Sequence, residues 1–440
     1  MFQKTKLRHN FQHNKSSVFG FVFLLPTSLF AVFILLLLAC NGLSVFNVNL
    51  PVPAKSSPET ANLLPENLPG NKTVTKLVSS VMYAVKEENP PVILKSHLPL
   101  PQKPNFSMIP VDKPLIFRPK QTRFSRQIWR TLRSGTKAKG FSSKVKDFFQ
   151  NSKCKSRFFM TWISSIESLG DRELLSIESV FKSHPKACLV IVSNSLDSKR
   201  GSVVLKPFLD KGFKLIAVDP DFDYIFKNTY AEVWFNRLKK GNVDPGEVSL
   251  GQSLSNLLRL ALLYKYGGIY IDTDIIVLKS FNNLRNVIGA QSINLETKNW
   301  SRLNNAVLIF DKQHPLLYKF IQEFGLTFDG NKWGHNGPYL VSRVVARVTG
   351  RPGFNFTVLP PSAFYPVDWT RIRSLFQGPK NEIHSKWLRD KLEQIRRQSY
   401  AVHLWNRQSR KVRFQEGSII HRIISDCYIF CNSPKSSLYV

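Results

Sequence analysis

The hydrophobic pattern of the chain changes character several times, and the first apolar run is the longest. Val18 to Cys40 is almost entirely apolar, and its 23 residues would form a helix of about 34 Å, enough to cross a bilayer. Residues 1–17 are basic and contain no acidic residue, which predicts a cytosolic N-terminus and a luminal remainder. We therefore predict a cytosolic tail over 1–17 and a transmembrane signal anchor over 18–40. A cleaved signal peptide is the alternative, but its apolar segment is usually shorter.

Prolines replace the periodic apolar runs after residue 40. Thirteen of the 26 prolines lie between Pro51 and Pro119, and such a segment buries too little apolar surface to fold compactly. We predict an extended luminal stem over 41–150. A basic run occupies residues 118–146 of this stem. A solvated linker is the simplest interpretation of the run, and contact with anionic lipid headgroups or an acidic glycan is the alternative.

Residues 151–440 alternate between strand-like and helical patterns, which predicts one large domain. The strand-like segments are Arg157–Ile163, Ala187–Val192 and Phe213–Val218. An amphipathic helix, whose N-cap we assign to Asp171, and a helix over 203–211 separate them. Alternating strands and helices predict an α/β fold, in which helices cover both faces of a parallel sheet.

The most informative pattern lies between residues 254 and 278. Apolar residues with helical spacing predict a helix with one buried face: Leu254, Leu257, Leu258, Ala261 and Leu262. Gly267 and Gly268 would end that helix, and a short buried strand over 269–271 follows. Asp272 and Asp274 come directly after the strand, at the sheet edge where nucleotides bind α/β proteins.

Two carboxylates at this spacing favour a cation between them. On an extended backbone, the side chains of Asp272 and Asp274 would point the same way, about 7 Å apart. Mn²⁺ or Mg²⁺ accepts such oxygen ligands and leaves coordination positions for a diphosphate. A phosphatase with a similar Asp-x-Asp is disfavoured, because it needs Thr or Val where this chain has Ile276. The remaining alternative is a solvated turn with two surface carboxylates.

The net charge of +32 raises the question of nucleic-acid binding. The basic residues are scattered rather than interleaved with aromatic residues, and the sequence contains no nucleic-acid-binding motif. We therefore predict no nucleic-acid partner. A hydrophobic content of 43% and an aromatic content of 12% support a folded core rather than a disordered chain.

Three blocks of sequence resemble the α1,4-glycosyltransferase family, which includes galactosyl- and N-acetylglucosaminyltransferases and a plant branch. The blocks are Ser255–Asp274, Asn304–Pro338 with its Trp-Gly-His-Asn-Gly-Pro end, and Ala401–Asn406. The resemblance implies a GT-A fold over 151–440, with one nucleotide-binding domain fused to an acceptor half. It also implies a Golgi type II membrane enzyme that moves a hexose or N-acetylhexosamine from a UDP-sugar to a glycan or glycolipid. The product would be α-linked, with retention of configuration and an α1,4 bond.

The resemblance also implies roles for individual residues. Asp274 is expected to bind the metal directly, and Asp272 to bind the metal together with the ribose or a metal-bound water. His403 would complete the metal site with a neutral imidazole. Arg259 lies one helical turn after Asn256 and has two interpretations: a ligand of the diphosphate, or a structural ion pair.

Further residues are expected to contact the donor or the reacting groups. Asn256, Tyr270 and His335 would bind the nucleotide sugar, and Asn305 and Asn336 would hold the transferred sugar or the acceptor hydroxyl. Many family members have Asp at the position of Asn256, and the galactosyltransferases have Gln at that of Asn336. These differences leave the donor sugar open. No carboxylate stands out as a nucleophile, so a same-face attack is the simplest mechanism.

The remaining predictions concern covalent modification and assembly. Four cysteines fall in the luminal part, and they form structural disulfides or stay free as buried thiols: Cys154, Cys188, Cys427 and Cys431. Luminal Asn-x-Ser/Thr sequons occur at Asn71, Asn105, Asn299 and Asn355. A homodimer is expected, and a non-catalytic lectin or scaffold of the same fold is the alternative function.

Overall fold

The computed structural model describes Leu132 and residues 140–427. The predicted cytosolic tail, signal anchor and nearly all of the stem lie outside these residues, as do Asn71, Asn105 and Cys431. No helix in the described part of the chain has the length and apolar character needed to cross a membrane.

Strands and helices alternate along most of the described chain. The strands are β1 (Ser156–Thr161), β2 (Ala187–Val192), β3 (Lys214–Val218), β4 (Gly268–Ile271), β5 (Ile275–Val277), β6 (Val287–Ile293), β7 (Trp300–Phe310), β8 (Thr357–Leu359) and β9 (Ala401–His403). The helices are α1 (Phe141–Asn151), α2 (Asp171–Ser183), α3 (Lys199–Asp210), α4 (Phe222–Phe226), α5 (Tyr230–Lys239), α6 (Leu250–Tyr266), α7 (Pro315–Thr327), α8 (Pro338–Val348), α9 (Pro361–Phe364), α10 (Glu382–Gln398), α11 (Asn406–Ser409) and α12 (Ile419–Cys427).

Seven strands form the central sheet, in the order β3-β2-β1-β4-β7-β6-β8. The pairs among β3, β2, β1 and β4 are parallel, and so is the β6–β8 pair. Strand β7 runs antiparallel to both of its neighbours, β4 and β6. The α/β prediction is confirmed, and the sheet is mostly parallel rather than wholly so. The reversal arises because β6 and β7 follow each other as a hairpin-like pair.

The sheet separates two hydrophobic cores. Alternate residues of β1 point to opposite faces, so that Phe159 joins one core and Phe158 the other. Helices α5, α6, α7 and α8 cover the Phe159 face, with Leu257 and Phe320 among the buried side chains. Helices α2 and α3 cover the Phe158 face, where Leu205 is buried. Coverage of both faces, as predicted, keeps the strand ends free for function at the edge.

Several local predictions need correction. Helix α2 begins after Gly170, whose N–H is bonded to the Glu173 carboxylate at 2.8 Å, so Asp171 is its first residue rather than its cap. Helix α3 starts at Lys199, ahead of the predicted residue 203, because Ser198 caps it. Helix α6 is buried on nearly all sides rather than on one face, since α7 and the sheet both pack against it.

A disulfide resolves one of the cysteine alternatives. Cys154 and Cys188 are bonded, with Cα atoms 5.5 Å apart and a sequence separation of 34. The bond ties the segment before β1 to the start of β2. Cys188 is completely buried, so this pair is a structural cross-link.

A second, two-stranded sheet lies beyond the end of β4. Strand β5 pairs antiparallel with β9, and Ile275 stands opposite His403. A third hydrophobic cluster, which includes Ile276, Val402 and Ile420, supports this small sheet. The pairing brings the C-terminal part of the chain next to the turn that follows β4.

Candidate active site

Strand β4 is fixed at both ends. Two glycines fix its start, and a hydrogen-bonded turn follows its end. Gly267 and Gly268 have φ of +67° and +117°, and a Cβ at either position would lie 2.6 Å from backbone atoms of Lys312 or Arg157. At the other end of β4, the N–H of Asp272 donates to the carbonyl of Ala306 at 2.8 Å. The N–H of Ile275 then donates to the carbonyl of Asp272 at 3.2 Å.

This geometry corrects the expected conformation of the Asp-x-Asp segment. Asp272 and Asp274 lie in a tight turn between β4 and β5, rather than on an extended strand. A turn brings the carboxylates together more closely than an extended backbone does. The location at the end of a sheet strand is as predicted.

Asp272 is held by a buried arginine and a buried tyrosine. Arg259 donates from Nη1 to Oδ2 and faces Oδ1 with Nη2, both at 3.0 Å. The Tyr270 hydroxyl donates to Oδ1 at 2.8 Å. Arg259 is 1% exposed, whereas Asp272 retains 26% of its side-chain exposure. The bidentate pair therefore fixes a carboxylate that still reaches the surface of the site.

The guanidinium of Arg259 is fully engaged by protein atoms. Besides Asp272, it donates to the Asn305 carbonyl at 2.8 Å and to the carbonyl and hydroxyl of Ser255 at 3.2 and 3.1 Å. These acceptors account for its five N–H bonds. Of the two interpretations, the structure favours the ion pair. We reassign Arg259 from diphosphate ligand to a residue that positions Asp272.

Tyr270 also lies behind Asp272 rather than in front of it. Its side chain is completely buried, and its ring stacks against Arg259, whose Cζ is 4.6 Å from the ring centroid. Its hydroxyl lies 2.8 Å from the hydroxyl of Thr161 at the end of β1. A ligand has no access to this side chain, so the expected contact between Tyr270 and the nucleotide is replaced by a positioning role.

Asp274 is held from the opposite side, by the segment after β9. His403 Nε2 lies 3.1 Å from Oδ1, and the Asn406 N–H donates to Oδ2 at 2.9 Å. The carbonyl of Asp274 accepts from the N–H of Leu404 at 2.8 Å. Strand β9 ends at His403, and Trp405 adopts a left-handed conformation with φ of +52°. That bend turns the Asn406 N–H back toward the carboxylate.

The sequence did not predict the layer of residues that packs behind Asn406. The Asn406 amide donates to buried Glu173 at 3.1 Å, and Glu173 also accepts from Arg410 at 2.6 Å. Arg172 donates to Ser409 at 3.0 Å and stacks on Phe376. Asn406 did lie in a motif block. Glu173 lies 233 residues before Asn406 in the sequence. The one sequence feature that could have indicated its role is an acidic residue on the inward face of an amphipathic helix.

The two aspartates differ in their electrostatic environment. Burial raises the pKa of Asp272, and the negative charge of Asp274 adds to this effect against the opposing charge of Arg259. Burial would also raise the pKa of Asp274, but the charge and hydrogen bond of His403 outweigh it and lower that pKa. Two carboxylates that disturb each other in this way would be stabilised by a cation placed between them.

The donor set fits a divalent metal ion. Ligand atoms of Asp272, Asp274 and His403 all lie within 4.8 Å of one another. Nδ1 of His403 has no hydrogen-bond partner within the described part of the chain, so the imidazole is not fixed from behind. Two carboxylates and one imidazole form a mixed set of oxygen and nitrogen donors. This set suits Mn²⁺ better than Mg²⁺, because Mg²⁺ prefers oxygen ligands alone.

Two buried asparagines lie beside the carboxylates. Asn305 Nδ2 donates to Asn256 Oδ1 at 3.0 Å, and the Asn305 carbonyl is bound by Arg259. Gly337 packs directly on Asn256, since a Cβ at 337 would lie 3.0 Å from Oδ1. The structure thus joins the first and second motif blocks. The predicted sugar contacts of Asn256 and Asn305 stay predictions.

Asn336 and His335 belong to the loop that carries Gly337. The Asn336 amide accepts from the Asp329 N–H at 3.1 Å and donates to the Asp329 carbonyl at 2.8 Å, which closes the loop. His335 Nε2 is 2.8 Å from the Thr327 carbonyl. These contacts account for the fold of the loop, and the proposed contacts of both residues with the substrates stay predictions.

An exposed tryptophan connects this loop to the metal-binding side. The Arg407 guanidinium lies 3.7 Å from the ring centroid of Trp333, which is 53% exposed. Arg407 directly follows Asn406, the residue whose N–H binds Asp274. The contact therefore spans the two segments that flank the carboxylates, and it was not foreseen from the sequence.

Comparisons with known proteins agree with this arrangement. Residues 170–293 match the model of a glycosyltransferase sugar-binding region containing the DXD motif, and residues 309–433 match the alpha 1,4-glycosyltransferase conserved region. Human lactosylceramide 4-alpha-galactosyltransferase is 31% identical over 259 residues, which cover 56% of this chain and 67% of that protein. The Pongo pygmaeus enzyme is 34% identical, with 45% of this chain and 85% of that protein covered.

Other similarities have a lower identity or cover a smaller share of the related protein. An uncharacterised Arabidopsis thaliana protein is 30% identical over 303 residues, and the chain spans less than half of its length, 45%. Among solved structures, PaToxG glycosyltransferase gives a TM-score of 0.33 at 18% identity, covering 51% of this chain and 80% of that chain. On the sequence relationships, the chain belongs to the α1,4-glycosyltransferase family and is a glycosyltransferase with a DXD region on a mostly parallel α/β sheet.

Proposed function

We propose that the protein is a metal-dependent, retaining transferase of the Golgi membrane. It moves a hexose or N-acetylhexosamine from a nucleotide sugar, a UDP-sugar in our assignment, to a hydroxyl of a glycan or glycolipid and forms an α1,4 bond. The observation that carries this proposal is the cluster of Asp272, Asp274 and His403 within 4.8 Å. The cluster lies at the end of β4, where nucleotides bind sheets of this class.

The three clustered residues would hold Mn²⁺, with Mg²⁺ as the second choice. When bound, the ion would stabilise the negative charge that develops on the diphosphate as the sugar leaves. The protein supplies rigidity: Arg259 fixes Asp272 through two contacts of 3.0 Å, and Asn406 fixes Asp274 at 2.9 Å. Such fixed ligands lose little free energy to reorganisation when a donor binds.

The buried amides would orient the transferred sugar. Asn256 and Asn305 share one hydrogen bond of 3.0 Å, which leaves further donor and acceptor capacity on each amide. In the same proposal, His335 contacts the nucleotide sugar and Asn336 contacts the acceptor hydroxyl. Many relatives have an acidic residue at position 256, and Asn removes that negative charge. The donor sugar of the relatives is therefore not transferred to this chain, and experiment must identify it.

Retention would follow from attack on the face from which the diphosphate leaves. Glu173 is a buried carboxylate behind the site, and it is bound to Gly170, Asn406 and Arg410. It is therefore not free to attack the anomeric carbon. In the proposed step, the acceptor oxygen forms the new bond as the bond to the phosphate oxygen breaks. The acceptor proton passes to that leaving phosphate.

The proposed location can be tested on residues that the structure describes. Asn299 and Asn355 are the asparagines of two sequons, and both are exposed. N-glycosylation of either residue requires passage through the lumen. The test compares the wild type with the double variant Asn299→Gln, Asn355→Gln. If the variant lacks mass that a glycosidase removes from the wild type, the type II topology with 18–40 as the anchor is supported. An unmodified protein that stays in the cytosol would contradict it.

The decisive experiment measures nucleotide release by the purified full-length chain. UDP-galactose, UDP-N-acetylglucosamine, UDP-glucose and GDP-mannose are supplied with and without Mn²⁺. We expect release from one donor, dependent on Mn²⁺ and lost in Asp274→Ala. The matched control is Asp210→Ala, which removes an exposed carboxylate from α3 that pairs only with Lys206 among described residues. It should behave like the wild type.

The alternative function is a luminal lectin or scaffold that has kept the fold. It predicts no release from any donor together with retained binding of a glycan. Absence of both nucleotide release and Mn²⁺-dependent UDP binding would refute the transferase proposal and favour this alternative. Release that survives in Asp274→Ala would refute the metal assignment alone.

A further inference from the structure

A basic cavity lies at the edge of the sheet opposite the carboxylates. Its volume is about 550 Å³, within the range of ligand-binding pockets. Five cationic side chains line it, and each comes from a different helix, strand or loop: Lys146, Arg157, Lys227, Lys265 and Lys312. No carboxylate is among the described residues that line it.

The cavity is distinct from the active site. Arg157 stands near the start of β1 and Thr161 at its end, and Thr161 belongs to the network behind Asp272. Thr161 lies four positions after Arg157 along the strand, which is a distance of about 13 Å. Tyr266 lines the cavity before β4 begins, and Asp272 follows after β4 ends. The two sites therefore occupy opposite ends of the same strands.

The described part of the chain does not neutralise the five cations. Within residues 140–427, none of them forms an ion pair with an acidic side chain. Four of the five are exposed, and Lys265 is half-buried. A concave surface with charge of one sign attracts ligands of the opposite sign. The observation points to an anion with several charges.

Aromatic rings form the walls between these charges. Lys265 Nζ lies 4.5 Å from the centroid of Tyr224, and the Arg157 guanidinium lies 5.0 Å from that of Phe149. Burial would raise the pKa of Tyr224, but a hydrogen bond with Ser142 and the charges of Lys265 and Lys312 lower it. Flat rings and hydroxyl groups suit a sugar ring, which presents apolar C–H faces and hydroxyls.

We propose that this cavity binds an anionic saccharide, that is, a short glycan carrying carboxylate, sulfate or phosphate groups. Lys146, the last residue of the basic run over 118–146, lies in α1 and lines the cavity. A concave site with aromatic walls fits a glycan better than a flat lipid surface. The proposal goes beyond the transferase function and does not depend on it.

The test measures binding to the full-length chain by calorimetry, with no donor sugar present. The probes are hexagalacturonate, a sulfated heparin hexasaccharide, neutral maltohexaose, inorganic pyrophosphate, and vesicles of phosphatidylcholine with phosphatidylserine. The test variant is Lys227→Glu with Lys312→Glu, at two exposed positions that line the cavity. The control is Lys380→Glu with Lys386→Glu, which changes the net charge equally at two exposed positions outside it.

We expect at least one anionic hexasaccharide to bind more tightly than maltohexaose and pyrophosphate. The cavity variant should weaken its Kd by about tenfold or more, and the control by no more than about twofold. Melting temperatures of both variants should match the wild type, since the substituted side chains are exposed. Equal weakening in the control would attribute binding to diffuse charge and overturn the proposal. So would binding of neither hexasaccharide, equal binding of pyrophosphate, or binding to the anionic vesicles alone.

Discussion

Replacement of Arg259 distinguishes a positioning role from contact with the donor diphosphate. Arg259→Met keeps much of the side-chain volume but removes the guanidinium and its five N–H contacts. Asp272 would then stand next to Asp274 without its buried counter-charge. Arg259→Lys keeps the charge, but an ammonium has three N–H donors and cannot reach the same set of acceptors.

The magnitude follows from burial. Loss of one partner from a buried ion pair costs about 3–5 kcal/mol. Because Asp272 keeps 26% of its exposure, water offsets part of the loss, and we expect about 3 kcal/mol for Arg259→Met. For a domain over residues 140–427, that corresponds to a decrease of about 5 °C in melting temperature. The Lys variant should show an intermediate decrease.

The assay combines thermal melting, Mn²⁺ binding and donor kinetics on the full-length chain. Arg285→Met is the matched control, because Arg285 pairs with Asp311 while 80% exposed, and such a pair contributes about 0–1 kcal/mol. We expect Arg259→Met to lower the melting temperature and weaken Mn²⁺ binding, and the control to change neither. A raised KM for the donor with an unchanged melting temperature would refute the positioning role and restore the diphosphate contact.

Three further predictions follow from the same contacts. Asn406→Ala removes the bond to Glu173 and should weaken Mn²⁺ binding by about tenfold in a titration, as loss of outer-layer partners does. Replacing both Cys154 and Cys188 by Ser opens a cross-link across 34 residues and should cost about 3–4 kcal/mol in denaturant unfolding, with donor turnover retained. Burial lowers the pKa of His184 to about 4. The unfolded chain binds more protons between about pH 4 and 6.5, so stability should fall by about 3 kcal/mol as pH decreases through this window.

Each of these predictions has a contrary outcome. Unchanged Mn²⁺ affinity in Asn406→Ala would show that the backbone N–H of residue 406 binds Asp274 without help from the side-chain bond to Glu173. A double Ser variant as stable as the wild type would deny the cross-link a stabilising role. For the pH dependence, the control is His184→Gln, whose amide oxygen can accept the Phe281 N–H that His184 Nε2 now accepts at 2.8 Å. If the variant keeps the full decrease between pH 6.5 and 4, another group is responsible.

The parts of the fold that the sequence predicts are those with local causes. The end of α6 at Gly267 and the strand before Asp272 follow from helical spacing, glycine conformation and apolar runs. The alternation of strands and helices predicts the sheet and its two covered faces. The antiparallel direction of β7 was not predicted, because a strand pattern carries no direction and direction depends on which strands become neighbours.

Partners within the site are harder to predict than the site itself. Arg259 was placed near Asp272, but its choice between a ligand and an ion pair depends on burial, which emerges only when α6 packs against the sheet. The role of Tyr270 also depends on burial. The alternation of side chains along β4 places Tyr270 on the face covered by α6, where no ligand reaches it. Glu173 has no local signal for its contact with Asn406, since the two are 233 residues apart.

The position of His403 shows how the fold assembles a site from distant segments. Strand β5 lies outside the main sheet and pairs with β9, so that Ile275 faces His403. This pairing fixes the register of β9, and a shift by one residue would turn the imidazole to the other face. The left-handed turn at Trp405 then returns the Asn406 N–H to Asp274. Two of the contacts that hold Asp274 therefore depend on the register of one short strand pair. A substitution that disturbs β9 should weaken metal binding even though it contacts no ligand.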